Sequence, residues 1–363
     1  MTIRDGCRHR AVAVGAVAVA LSGAALLWMA QPAGAVDYER IKQIAEENGI
    51  TELRMTEAGG PSGESIEQGY LNPFAEKSGI GVVRENPSGL GKLRAMVEAG
   101  AVTSVLLELS SPELEQAKAL DLVEPLDWAV IDPLPMFEEA QDESGYGYQY
   151  YSTIMAWRED VKAPQSWQDF WDVEAFPGKR ALPDYAAYIL PMALLADGVP
   201  LEELYPLDLD RAFASLEEIK DHVAVWWQAG AQPPQLLQDN EVQYAVAWSG
   251  RVAGQEGIDY TFQDGQLDIA FFVVPKGADP QQKEAAMGIF YEMSVPENQA
   301  VAADVVSYTG NSPDLEPLLP QDRVDEFPTT AANKEVQFLS NARWWFENAE
   351  EVETRWQEFK LGL

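Results

Sequence analysis

Short apolar segments alternate with longer amphipathic segments along most of this chain, and that alternation restricts the fold more than any other feature. The predicted strands are residues 51–55, 81–84, 102–108, 153–157, 181–183, 244–248 and 268–274. The predicted helices are residues 65–78, 89–99, 111–119, 166–172, 186–197, 209–222, 281–293, 297–306 and 335–359. The pattern is typical of α/β folds with parallel sheets, and 363 residues are enough for two lobes of ordinary domain size.

The first 35 residues have the pattern of a secretory signal peptide. Arginines at positions 4, 8 and 10 precede an apolar stretch over residues 11–30, and Ala33-Gly34-Ala35 fits a signal-peptidase site. We therefore expect residues 1–35 to be removed near Ala35, leaving a periplasmic chain that begins near Val36. A retained membrane anchor is the alternative.

Cysteine and histidine are nearly absent from the predicted mature chain. The single cysteine, Cys7, and one of the two histidines, His9, lie in the signal segment, while His222 ends a predicted helix. A Ser-His-Asp triad or a histidine-based metal site would have to rest on His222 alone. We expect no catalytic residues, no metal and no cofactor, although a secreted enzyme on this scaffold remains a remote alternative.

The charge of the chain is strongly negative. Its 59 acidic and 25 basic residues give a net charge of −34, spread along the whole length. Nucleic acid and anionic lipid surfaces would repel such a protein. An acidic surface is also what solubility in a salty environment requires, so the charge by itself names no ligand.

The segment QYAVAWSGRVAG, residues 243–254, combines a strand with two candidate ligand-binding residues. Its apolar run 244–248 predicts a buried strand, which Ser249-Gly250 ends as a turn does. Trp248 and Arg251 should therefore flank the end of that strand. Trp248 as a core residue and Arg251 as a surface ion pair are the alternatives.

Three segments resemble the solute-binding proteins of ABC importers, in the branch that contains the spermidine/putrescine-binding proteins. They are SGIGVVRENPSGLGKLRAMVEAG (78–100), KAPQSWQDFWDVEAFPGKRALPD (162–184) and GQLDIAFFVVPKGADPQQKEAAMGIFYEMSVPENQAVAADVVSYTGNSPD (265–314). The likeness covers nearly all of the chain after the signal segment. It implies a monomeric carrier that delivers a small molecule to the permease subunits of a transporter.

The resemblance also implies a fold. We expect a two-lobe periplasmic binding protein of type II, in which each lobe is a mainly parallel sheet flanked by helices. Crossover strands should join the lobes, and the ligand should be enclosed in the cleft between them. By this comparison residues 36–155 and 270–363 form lobe 1 with the C-terminal helices, and residues 156–269 form lobe 2.

The ligand implied by the resemblance depends on a few positions. Polyamine binders of this branch line the cleft with tryptophan and carboxylates, and Trp248 matches a cleft tryptophan. Tyr185 and Tyr188 stand where polyamine binders carry an acidic pair, and Asp268 and Ala270 stand where they carry an aromatic-x-Asp pair. These replacements disfavour a polyamine as the ligand.

Trp248 followed by Arg251, together with Asp268, instead resembles the γ-aminobutyrate-binding members. In those proteins the arginine receives the carboxylate and the aspartate receives the amine. Arg251 has the planar fork that suits a carboxylate, and Asp268 is an anion for an ammonium. A turn-capping role after Gly265 is the alternative for Asp268.

Aromatic and polar residues should complete the ligand site. Tyr308 lies in SYTGN, which matches a cleft-facing Tyr-x-x-Asn loop, and Tyr185 and Tyr188 share one face of a helix start, which packing within the lobe would also explain. The remaining expected ligand-binding residues are Tyr151, Glu57, Ser110 and Trp227. Such an aromatic floor would attract a cation, so a polyamine and a betaine remain alternative ligands beside a γ-aminobutyrate-like zwitterion.

Overall fold

The computed structural model of the protein describes residues 36–363, so the predicted signal peptide lies outside the described residues. The strands of this part of the chain are β1 (Glu52–Thr56), β2 (Gly81–Glu85), β3 (Leu106–Ser110), β4 (Val123–Glu124), β5 (Gly145–Arg158), β6 (Arg180–Pro183), β7 (Val223–Trp227), β8 (Tyr244–Trp248), β9 (Ile258–Pro275) and β10 (Phe338–Leu339). They form a sheet with the order β2-β1-β3-β9-β5-β8-β6-β7, and β4 and β10 also pair with β9.

Two long strands in the middle of the sheet connect two parallel groups. Strand β1 pairs in parallel with β2 and β3, and β6 pairs in parallel with β7 and β8. Between these groups, β9 is antiparallel to β3 and β5, and β5 is antiparallel to β8. The pairing of β5 with β9 shifts register between Gly147 and Gln149 and again between Thr153 and Met155.

Helices cover both parallel groups. They are α1 (Tyr38–Asn48), α2 (Gly60–Ile66), α3 (Asn72–Ser78), α4 (Leu90–Glu98), α5 (Ser111–Ala119), α6 (Trp128–Ile131), α7 (Trp167–Trp171), α8 (Ala186–Ala196), α9 (Leu209–Ile219), α10 (Gln232–Gln238), α11 (Ser249–Val252), α12 (Pro280–Ser294), α13 (Pro296–Val305), α14 (Ala331–Glu335), α15 (Ala342–Glu347) and α16 (Ala349–Lys360). A π-helical turn, Glu67–Leu71, joins α2 to α3. None of the helices within residues 36–363 is long and apolar enough to cross a membrane.

Separate hydrophobic cores form on the two sides of the long strands. One core packs α3 and α12 against β3, with Phe74, Phe290 and Leu106 fully buried. Another packs α8 and α9 against β6, with Leu190, Leu216 and Leu182 fully buried. The two cores give the structure its two α/β lobes, whereas the lobe boundaries expected from the sequence stay a prediction.

Each predicted strand overlaps a strand of the structure, and most of the predicted helices overlap helices. Strand β8 and helix α5 have the predicted bounds, and the predicted strands at 153–157 and 268–274 are parts of the longer β5 and β9. The prediction missed the helices α1, α6 and α10 and the strands β4, β7 and β10. Asp37 caps α1 by accepting the N–H of Arg40.

The prediction of one helix over residues 335–359 is wrong. Helix α14 ends at Glu335, β10 follows it, and α15 begins only after Asn341, whose side chain accepts the backbone N–H of Trp344. An asparagine that bonds to the backbone in this way starts a new helix instead of continuing an old one.

Candidate functional site

A cavity lies where the carboxyl ends of the two parallel strand groups face each other. Its volume is about 290 Å³, at the lower end of the range for small-molecule sites. We call it the inner cavity. It is lined by Ala58, Ser62, Pro87, Ser88, Gly89, Glu108, Leu109, Ser110, Glu113, Gln149, Tyr151, Tyr188, Trp248, Arg251, Ala270 and Tyr308. In open α/β sheets the carboxyl ends of the strands are the usual place for a ligand.

One face of the sheet supplies the floor of the inner cavity. Side chains two residues apart on a strand point to the same face, so Glu108 and Ser110 on β3 share a face, as do Gln149 and Tyr151 on β5. Ala270 of β9 pairs with both Ser110 and Gln149 and connects these two strands. Because Ala270 has only a methyl side chain, the floor is open between them.

Aromatic rings form one wall of the inner cavity. The half-buried ring of Trp248 meets Tyr188 edge to face at 5.7 Å and Tyr151 at 6.4 Å, and Tyr151 lies 6.0 Å from Tyr308. The hydroxyl groups of Tyr151 and Tyr188 are 3.1 Å apart and form a hydrogen bond. These rings offer an apolar surface and π faces to a bound cation.

The loop that carries Tyr308 is held in place from within. The fully buried Asn311 donates to the carbonyl of Gly147 at 2.7 Å and accepts from Gln299 at 2.8 Å. Tyr308 itself is 6% exposed. The two residues of the Tyr-x-x-Asn motif therefore have different roles. The asparagine anchors the loop, and the tyrosine lines the cavity.

Arg251 lies on the short helix α11, directly after β8, and reaches the inner cavity. No carboxylate of the described residues lies within 4.0 Å of its guanidinium, and its buried Nε has no hydrogen-bond partner. Burial raises the pKa of Tyr308, and the adjacent Arg251 offsets part of that rise. The alternative of a surface ion pair for Arg251 is therefore wrong.

Two carboxylates also line the inner cavity. Glu108 is 8% exposed, and burial raises its pKa to about 7 although hydrogen bonds from Ala58 and Tyr148 act in the other direction. Glu113 is half-buried and closes the capping box at the start of α5, where it accepts the backbone N–H and the hydroxyl of Ser110.

A second, larger space of about 740 Å³ adjoins the inner cavity, with which it shares Tyr151 and Tyr188. We call it the outer cavity. It shares Ser88, Ser110, Glu113, Tyr151, Tyr188 and Trp248 with the inner cavity and adds, among others, Asp184, Tyr185, Asp268, Trp345 and Lys360. The ion pair of Lys360 with Asp184, at 3.1 Å, fixes the end of α16 at this space.

Asp268 lines the outer cavity and not the inner one. It lies in the middle of β9 opposite Tyr151, is 4% exposed and accepts a hydrogen bond from Gln266 at 2.9 Å. The alternative that it caps a turn is wrong. Burial raises its pKa to about 7, with Gln266 and Ser340 acting in the other direction.

The structure brings together most, but not all, of the predicted site residues. Trp248, Arg251, Tyr308, Tyr188, Tyr151 and Ser110 line the inner cavity, while Tyr185 and Asp268 line the outer cavity. Tyr185 and Tyr188, which were predicted together, have different positions. Tyr188 contributes to both spaces, whereas Tyr185 is 39% exposed and donates to the carbonyl of Gln228 at 2.8 Å.

Glu57 and Trp227, both predicted to bind the ligand, line neither cavity. Glu57 is fully buried and accepts a hydrogen bond from Arg84 at 2.9 Å. Trp227 is fully buried behind Trp248, 5.2 Å from its ring, and donates to the carbonyl of Val246. Trp227 therefore supports Trp248 of the wall, whereas Glu57 holds Arg84 and the loop after β1.

The prediction missed Glu108, Gln149, Ser62 and Ser88, which all line the inner cavity. A signal for Glu108 exists in the sequence, because it is the single charged residue in the apolar run VLLELS. An acid in a strand that is otherwise apolar indicates either a buried ion pair or a functional site.

Comparison with known proteins also indicates a solute-binding protein. Residues 69–332 match the profile of a family described as bacterial extracellular solute-binding proteins. The chain is 36% identical over 316 residues to a γ-aminobutyric acid-binding protein of Pseudomonas aeruginosa, a match that covers 84% of this chain and 89% of the relative.

Two solved structures are similar over nearly their whole length. An ABC transporter substrate-binding protein from Bradyrhizobium japonicum superposes with a TM-score of 0.80 at 33% identity, covering 85% of this chain and 99% of the other. A γ-aminobutyrate receptor designated Atu4243 superposes with a TM-score of 0.78 at 31% identity, covering 85% and 97%.

Proposed function

Because the chain belongs to the bacterial extracellular solute-binding protein family, we propose that it captures a small amine-bearing zwitterion of the γ-aminobutyrate class for an ABC importer. Membership confirms the family expected from the sequence and its two-lobe α/β fold of type II. In this proposal the ligand occupies the inner cavity, with its carboxylate on Arg251 and its ammonium against the aromatic wall.

The observation that carries the proposal is the unpaired cation in the inner cavity. The chain contains 59 acidic residues, yet the guanidinium of Arg251 has none of the described carboxylates within 4.0 Å. A partly buried cation without an anion is unfavourable unless a ligand supplies one. A guanidinium fork binds a carboxylate with two parallel hydrogen bonds, and that geometry selects an acid over a polyamine.

The aromatic wall supports an amine elsewhere on the ligand. Trp248, Tyr151 and Tyr308 present ring faces and edges to the inner cavity, and each good cation–π contact is worth about 0.5 to 2 kcal/mol. Asp268, the predicted amine acceptor, approaches the same wall from the outer cavity. A betaine also carries a carboxylate and a cation, so it is the second ligand to test.

The remaining parts of the proposal concern the protein's surroundings. The chain would be exported to the periplasm, with cleavage near Ala35, and would act as a monomer that is not an enzyme. The two lobes, with residues 156–269 as lobe 2, would close on the ligand and present it to the permease subunits. The relatives' roles as solute-binding proteins support this arrangement.

Arg251→Ala tests the proposal directly. We expect γ-aminobutyrate binding to weaken by about 2 to 5 kcal/mol, because the ligand's carboxylate would be buried without a partner. Arg251→Lys should also bind poorly, since an ammonium cannot reproduce the two-pronged contact. Isothermal titration calorimetry with γ-aminobutyrate, betaine and putrescine measures these affinities.

Arg94→Ala is the matched control, because Arg94 is exposed on α4 and pairs only locally with Glu98 at 2.6 Å. It should leave binding unchanged. The proposal fails if the wild-type protein prefers putrescine, if it binds none of the three ligands, or if Arg251→Ala binds γ-aminobutyrate as tightly as wild type.

A further inference from the structure

Glu108 is a buried acid that faces the same cavity as Arg251. It lies on β3 between leucines and is 8% exposed. No nitrogen of a described Lys, Arg or His side chain lies within 4.0 Å of its carboxylate. Burial of a carboxylate without a cationic partner is unfavourable, and a structure that retains one commonly does so at a functional site.

Two hydrogen bonds fix the carboxylate of Glu108 without using all of its capacity. The backbone N–H of Ala58 donates to Oε2 at 2.6 Å, and the hydroxyl of Tyr148 donates to Oε1 at 3.0 Å. A carboxylate offers about four acceptor positions, so each oxygen retains one for a further donor. Glu108 is thus oriented and still able to receive an ammonium.

The loop that supplies the Ala58 N–H is itself held in place. Glu57 accepts the N–H of Gly59, and Arg84 donates to Glu57 at 2.9 Å. This gives the fully buried Glu57 the role of a positioning residue, because it fixes the loop that orients Glu108.

The other acids near the inner cavity are less suitable for an ammonium inside it. Glu113 already accepts three hydrogen bonds, from the N–H of Leu90 at 3.1 Å and from the N–H and hydroxyl of Ser110 at 3.0 and 2.8 Å. Its oxygens serve the start of α5. Asp268 lines only the outer cavity.

We propose that Glu108 is the residue that selects for an amine, by receiving the ligand's ammonium in the inner cavity while Arg251 receives its carboxylate. The inference rests on the proposed function and adds the second charged partner. Arg251 and Glu108 line one cavity of about 290 Å³ but lie more than 4.0 Å apart, so neither neutralises the other directly. A ligand with separated opposite charges can pair with both.

Glu108→Gln tests this role, since the glutamine oxygen can still accept the Ala58 N–H and its NH2 can donate to the hydroxyl oxygen of Tyr148, while the charge is lost. Calorimetry at pH 8 compares γ-aminobutyrate with butyrate, which has the carboxylate but no amine. We expect Glu108→Gln to reduce γ-aminobutyrate affinity at least about tenfold, because truncating one member of a buried charge pair is costly. Butyrate affinity should stay the same or increase.

Glu98→Gln is the matched control, because it makes the same change of charge at an exposed position on α4 that lines neither cavity. It should leave γ-aminobutyrate affinity within about threefold. The inference is overturned if Glu113→Gln or Asp268→Asn loses the amine preference while Glu108→Gln retains it.

Two further comparisons distinguish failure of this inference from failure of the proposed function and from misfolding of the variant. If wild type binds γ-aminobutyrate, Arg251→Ala does not, and Glu108→Gln binds normally, the proposed function holds and this inference alone fails. If thermal unfolding shows that Glu108→Gln does not fold, Glu108→Asp replaces it. The shorter acid should lose γ-aminobutyrate affinity and keep butyrate affinity, and unchanged affinity for γ-aminobutyrate overturns the inference.

Discussion

Two residues of the site, Glu108 and Asp268, are acids that the fold keeps away from water. Burial raises the pKa of each to about 7, well above the ordinary value for a carboxyl group. Groups facing Glu108 include Glu57 and Glu113, whose charges raise its pKa further. Buried acids of this kind oppose folding when they are ionised. Their presence at the site therefore lowers the stability of the ligand-free protein.

The sign of their pH dependence follows from linkage. Below about pH 4 each acid is protonated in both the folded and the unfolded state, and it has no effect on stability. As the pH rises from about 4 to about 7, the unfolded chain loses the proton while the folded protein retains it, so the free energy of unfolding falls. Above pH 7 the full destabilisation remains.

Asp268→Asn should therefore stabilise the ligand-free protein at pH 8, by roughly 1 kcal/mol, and have little effect at pH 4. The melting temperature at the two pH values measures the difference. Asp322→Asn makes the same chemical change at an exposed position and should shift neither melting temperature. A destabilised Asp268→Asn at pH 8 would mean that the hydrogen bond with Gln266 outweighs the desolvation of the carboxylate.

At the scale of elements, the short helix α11 sets the position of Arg251 relative to the aromatic wall. Its Gly250 packs directly against Tyr308, and a Cβ atom at this position would lie 2.5 Å from Cε1 of the tyrosine ring. Gly230, on the approach to α10, is in the same situation, because its Cβ would lie 2.6 Å from the Trp248 ring. The glycines allow the backbone to touch the wall.

Gly250→Ala should displace either Tyr308 or α11, and both movements change the inner cavity. We expect about 1 to 3 kcal/mol of lost stability and a several-fold weaker affinity for γ-aminobutyrate, measured by thermal unfolding and calorimetry. Gly91→Ala is the control, since no atom lies within 4 Å of its added Cβ on α4, and it should stabilise the helix by up to about 1 kcal/mol. Equal affinity in both variants would show that the wall tolerates the shift.

At the scale of the whole molecule, the net charge of −34 acts on stability through mutual repulsion. The Debye length is about 30 Å at 0.01 M salt and about 3 Å at 1 M, so repulsion between distant carboxylates is strong only at low ionic strength. We expect sodium chloride to raise the melting temperature at pH 7.5. The gain should shrink near pH 4, where many carboxylates are protonated. An unchanged melting temperature from 0.01 to 1 M would contradict this view.

The sequence by itself determined the features that depend on local pattern. Strand β8 and its end at Trp248 follow from the apolar run 244–248 and from Ser249-Gly250, so Trp248 and Arg251 could be predicted at the end of a strand, although the predicted turn is the start of the short helix α11. Family resemblance added the two-lobe fold and the aromatic residues. The apolar period of a strand and the cap of a helix depend on neighbouring residues. Such features can therefore be predicted directly from the sequence.

Only the tertiary structure decided which charges share a cavity. The pairing of Ser110 with Ala270 and of Tyr151 with Asp268 joins residues more than a hundred positions apart, and that register puts Glu108 and Asp268 on the face of the sheet that borders the two cavities. The fold also buries Glu57 and Trp227 outside both cavities. A one-residue change of register turns a strand's side chains to the opposite face, so the list of cavity residues depends on long-range pairing that local pattern does not encode.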